Sequence, residues 1–200
     1  MVALAAVAIV GMLSVRGPIL RAAGWTLAVN DGPADIIVAS LDSGGAGTLE
    51  AADMVKGGIA TRVAVFVDRP SGEDLKFICQ GLSCEDASAR QIRQLRSLTM
   101  TNVVHIPRTE AGTEGEGQVL PPWCDHHELR SIVFVVSRDH SRRIRRIRKR
   151  IMKSHPTRVI GQPARYSSFD PDRWWETRSG IRAEIVEFQK LALDFILHPF

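Results

Sequence analysis

The chain is poor in cysteine, and the three it has, Cys79, Cys84 and Cys124, form an odd set. An odd count describes no disulfide framework. Cys79 and Cys84 would pair only in an oxidising compartment, and free, partly buried thiols are the simpler reading. No lysine follows Gly44-Gly45-Ala46-Gly47, so the stretch is not a P-loop, and its spacing is not the dinucleotide fingerprint. Cys124-Asp125-His126-His127 has no second ligand pair at zinc spacing, so no metal site is assigned. Fixed-period repeats, low-complexity tracts and an interdomain linker are all missing.

What is present fits one folded domain. The 200 residues are 44% hydrophobic and 24% charged. That is ordinary for a chain with a sizeable core, and it excludes a mainly disordered one. The net charge of +4 is local. Residues 138–153, RDHSRRIRRIRKRIMK, carry the basic excess, and the rest is slightly acidic. Ile144, Ile147 and Ile151 recur at helical spacing there, so one face packs and the cations occupy the others. A solvated charged face is the plain reading. Contact with anionic lipid or a partner is the sharper one. Nucleic acid is disfavoured, because no binding motif accompanies the helix.

Residues 1–15 contain no charged side chain. The run is short of the roughly 20 residues a spanning helix needs. No basic residue precedes it, which argues against a secretory signal. A truncated signal anchor, a short membrane-associated helix and a core helix are the alternatives, and a membrane anchor fits the unbroken run best. Arg16 and Arg21 would then face the cytoplasm, although two charges leave the side of the soluble domain open. The chain divides into an apolar segment, 1–23, and a domain, 24–200.

Short apolar runs alternate with helical stretches. Strands are expected at 35–41, 62–67, 103–106, 131–136 and 157–160. Helices are expected at 48–56, 87–98, 141–153 and 174–197. Thr113 to Gly117 reads as a polar loop, followed by a short or broken helix because Pro121-Pro122 disfavours its middle. The alternation predicts right-handed crossovers and a three-layer, Rossmann-like α/β fold. Its sheet would be open and mainly parallel, with about five strands, behind an N-terminal apolar helix.

In such sheets ligands bind beyond the carboxyl ends of the strands, where loops lead into helix N-termini. Three loops qualify. Asp42 to Thr48 offers Gly44 and Gly45 for close backbone approach, or is simply a tight turn. Thr113 to Glu116 offers a hydroxyl and a carboxylate, or a capping pattern. Ser137 to Arg143 brings a hydroxyl, Asp139, His140 and guanidinium groups to one helix start. His140 is a candidate acid/base there, or merely a helix cap.

Several of these segments together resemble the YdcF/SanA/ElyC-like family of bacterial proteins. They are Ala34-Asp35-Ile36-Ile37-Val38, Gly44-Gly45, Thr113-x-x-Glu116, Ser137-x-x-His140-x-x-Arg143, Trp175 and Glu187-x-x-Lys190-Leu191. The resemblance spans roughly residues 24–195. It implies a Rossmann-like domain, often membrane-tethered, with some relatives linked to envelope integrity and peptidoglycan precursor metabolism. By motif the site would use His140 and Glu116 as proton-carrying groups. Gly44, Gly45, Thr113, Ser137 and Arg143 would bind the ligand, an anionic or nucleotide-like small molecule. S-adenosylmethionine enters as a cofactor through the resemblance alone. Two positions depart from the family pattern. Asp68-Arg69-Pro70-Ser71-Gly72 replaces its Ser-Gly-Gly after the second strand, and Glu116 stands where it often has Asn.

Overall fold

The computed structural model describes residues 33–83, 85–108 and 112–199. The apolar N-terminal segment and the anchor read from it lie outside these residues. Five strands form one all-parallel sheet: β1 (Ile36–Ala39), β2 (Val63–Val67), β3 (Val103–Pro107), β4 (Ser131–Val136) and β5 (Arg158–Pro163). Their order is β3-β2-β1-β4-β5. The chain winds outward from β1 to β3, then returns across the sheet to β4 and continues to β5. Right-handed crossovers running in opposite directions place their helices on opposite faces, giving three layers. The Rossmann-like architecture expected from the sequence is therefore present.

The strands are apolar because both their faces are covered. Every residue of β1 is buried, as are Ile132 to Val136 of β4. Val38 stands opposite Phe134, and Phe134 meets Phe66 edge-on at 6.0 Å between ring centroids. Burying side chains of this size contributes about 1.5–3 kcal/mol each.

The described residues form six helices: α1 (Gly44–Lys56), α2 (Gly72–Cys79), α3 (Ala87–Ser97), α4 (Gly112–His126), α5 (Ser141–Ile151) and α6 (Arg178–Leu197). Helices α1 and α3 pack together, while α4 packs on α5 and α5 on α6. Three expectations are corrected. The polar loop at 113–117 is the first turn of α4, and α4 runs through Pro121 and Pro122 without a break. Its buried residues explain this. Thr113, Glu116, Gly117, Leu120, Trp123 and Cys124 recur at helical spacing, so tertiary burial overrides the weak local propensity. Gly117 also lets α4 approach α5 closely, since a Cβ there would meet Ile151 Cδ1 at 2.5 Å. The last helix begins later than expected, after a 3-10 turn over Trp174–Glu176, and Thr177 caps it by accepting the Gly180 N–H at 3.0 Å.

Basic helix α5 spends much of its charge on α6. Arg146 and Arg150 both pair with Asp194, at 2.5 and 2.7 Å, and Arg150 also reaches Glu114 on α4 at 2.8 Å. No helix among the described residues is long and apolar enough to cross a membrane.

Candidate functional site

The switch point lies between β1 and β4, where the winding reverses. Here two loops leave neighbouring parallel strands in opposite directions and open a crevice.

After β1 the chain makes a 3-10 turn over Leu41–Ser43 and enters α1 directly. Gly44 permits this with a left-handed φ of 51°. Its carbonyl is already taken by Thr48 Oγ1 and Gln91 Nε2, at 3.0 and 3.2 Å. Gly45 is exposed, with nearby space reaching only the Gln94 side chain. Gly44 is thus a conformational requirement of the turn as well as a candidate backbone contact.

Glu116, on the first turns of α4, reaches under this turn and is 1% exposed. Ser40 Oγ donates to its Oε2 at 2.7 Å, and the Leu41 N–H donates to its Oε1 at 2.9 Å. Arg108, just past β3, donates to Oε1 from the other side at 3.4 Å. Arg108 is itself held by Asp68, just past β2, through Nε and through Nη2, the latter at 2.7 Å. One helical carboxyl therefore joins the loops after β1, β2 and β3. Burial pushes its pKa up to about 7 against the opposing pull of Ser40 and Leu41, with the Asp42 charge adding to the rise. A group of that pKa exchanges its proton near neutrality. Its oxygens face the loop, however, so it positions the turn from beneath.

The loop after β4 supplies the other half. Ser137 Oγ donates to Asp139 and lies 3.1 Å from Ser167 Oγ beyond β5. His140 occupies the N-cap of α5, but its side chain makes no capping bond, which removes the plain reading of that residue. Instead its Nδ1 lies 2.9 Å from Glu187 Oε1 on α6, and its Nε2 faces Asp139 at 3.8 Å. Burial alone would favour the neutral ring. The Glu187 carboxylate, with Asp139 and Asp42, outweighs it and holds the pKa above the ordinary value. Glu187 also accepts from Arg143 and Lys190, both at 2.9 Å. Although burial raises a carboxyl, these three cations bring Glu187 down to about 2.

The two halves meet at Asp42. Its carboxylate is exposed, accepts the Thr113 hydroxyl at 3.2 Å, and acts electrostatically on both Glu116 and His140. All seven residues expected from the sequence lie on this edge or its supporting helices. Thr113 and Glu116 join the β1 loop, while Ser137, His140 and Arg143 form the β4 side. Arg143 Nε donates to Glu187 at 2.9 Å, so this guanidinium also orients that carboxylate.

Sequence reasoning missed Asp42, Asp68, Arg108 and Glu187 as site residues. The first three had a signal, since each is a charged residue at most three positions past a strand. Glu187 stood in the motif Glu187-x-x-Lys190-Leu191, but only the fold brings α6 to the start of α5 and so pairs it with His140. Among the described residues no group of three or more His, Cys, Asp or Glu is arranged to hold a metal ion.

No family model matches the chain, and no curated protein does. Among solved structures it is similar to the reductase domain of an aureusimine biosynthetic cluster, at 14% identity and a TM-score of 0.35. The match covers 75% of this chain and 39% of that one.

Proposed function

We propose that this chain is a YdcF-like domain that binds an anionic or nucleotide-like small molecule at the β1/β4 edge, with His140 as its proton-carrying contact. The observation that carries the reading is the setting of His140. It sits at the switch point, half-buried, with Glu187 behind it favouring the imidazolium form. A cationic ring at a helix start in such a crevice is a natural partner for a phosphate or carboxylate. The Asp42 charge also acts on the ring, and Glu116 sets the position of the turn that carries Asp42.

The resemblance of the motifs and the apolar run at 1–15 support a place at the bacterial cell envelope, tethered to the membrane. The alternative, a scaffold using its basic helix on lipid or a partner, has less support. Arg143, Arg146 and Arg150 are already engaged by carboxylates of α4 and α6.

The test is thermal unfolding with a panel of nucleotides, S-adenosylmethionine and a polyprenyl phosphate. A ligand that binds the native state raises the midpoint. At least one is expected to do so for the wild type and to lose most of the effect in His140→Ala. Equal shifts in the two proteins would reject His140 as the contact.

A further inference from the structure

A cavity runs between α5 and the β4–β5 side of the sheet, reaching at one end the strand-end residues Val136, Ser141 and Pro163. It has a volume of about 260 Å³, and Val136, Ile144, Val159 and Ile160 form apolar walls. Arg145, Arg148 and Arg158 also line it, and none of its lining residues is acidic.

Arg148 is the informative residue. Its Nε and Nη1 are buried and have no hydrogen-bond partner. Its guanidinium lies 5.7 Å from the centroid of the Phe134 ring, so the sheet offers it an aromatic face and no carboxylate. Burial, together with the like charge of Arg145, pushes its pKa down to about 10. Arginine remains charged at that value. A half-buried cation without a counter-charge is costly, and burying two of its nitrogens unmet adds to the cost. The neighbouring α5 arginines show the contrast, since Arg143, Arg146 and Arg150 each have a carboxylate. Gly161 on β5 makes the room. A Cβ there would stand 2.5 Å from Arg148 Nη2. The strand thus carries its one side-chain-free residue where the guanidinium lies.

We infer that the α5–β5 cavity is a binding site for a small organic carboxylate with an apolar body, its charge met by Arg148 and its body by the aliphatic walls. A carboxylate suits the cavity better than a bare phosphate. Its single charge matches the one guanidinium with buried, unpartnered donors, and phosphate would leave the apolar walls unused. The site rests on Arg148 and Gly161 rather than on His140 and Glu187, the residues that carry the function proposed for the strand-end crevice.

The probe is hexanoate, with hexylamine and inorganic phosphate as controls, read by thermal unfolding of the full chain. Hexanoate at a hundredfold above its Kd is expected to raise the midpoint by about 5–10 °C. Hexylamine and phosphate are expected to leave it in place. Arg148→Met keeps the bulk without the charge and should abolish the shift. Gly161→Ala narrows the cavity from the sheet side and should reduce it. His140→Ala should keep it in full, which separates this site from the strand-end one. A silent hexanoate, an equal shift in Arg148→Met, or a shift lost in His140→Ala would each overturn the inference. So would a response to phosphate alone.

Discussion

A carboxyl that titrates near neutrality makes the fold itself sensitive to pH. Glu116 in the native state holds its proton up to about pH 7, whereas its ordinary value is 4.5. Between these values the native state binds more protons than the unfolded one, so stability falls as pH rises through the window. Glu116→Gln removes that dependence. Relative to wild type, the variant should gain on the order of 2 kcal/mol between pH 5 and pH 8, measured from urea midpoints. A constant difference across that range would show that Glu116 is ionised throughout. The sequence pointed to Glu116 as an acid/base facing ligand. It could not show that Ser40 and Leu41 would occupy both oxygens, because those contacts span 75 residues or more of chain.

At the scale of elements, the apolar strands were the most legible part. A run such as Ser131-Ile-Val-Phe-Val-Val136 has one solution when both faces are covered. The glycines were legible as a turn but not in their individual tasks. Gly47 read only as one glycine of the candidate loop, yet a Cβ there would lie 1.8 Å from Ser43 Oγ, the hydroxyl that donates to the Ser40 carbonyl at 2.5 Å. Gly47→Ala is therefore expected to displace the 3-10 turn and cost about 1–3 kcal/mol, read by chemical denaturation. An unchanged midpoint would mean that Ser43 can turn away freely. Helix α4 was the hardest element to read. Its glycines and paired prolines signal a loop, and only packing against α5 and the sheet makes it a helix.

Across the whole molecule, burial is uneven. The core gathers on β1, β2 and β4, while α2 buries none of its residues and is held locally by a capping box between Ser71 and Asp74. Hydrogen exchange should follow this division. Amides of β1 and β4 should exchange only through global unfolding, and those of α2 through openings that cost little. Comparable protection in both would mean that α2 is covered by something in solution. The strand order was only partly legible. Alternation announces parallel crossovers, but the reversal that places β4 beside β1 leaves no mark in local sequence.

That reversal, together with Glu116, has a mechanical result. Asp68, Arg108, Glu116 and Ser40 form a line in which each group restrains the next, and a single helix anchors it. Restraints in series fail together. Letting go of the one carboxyl would slacken the turn after β1 and free Arg108 to shift with Asp68. The loops after β1, β2 and β3 thus share one anchor on α4 rather than three separate ones.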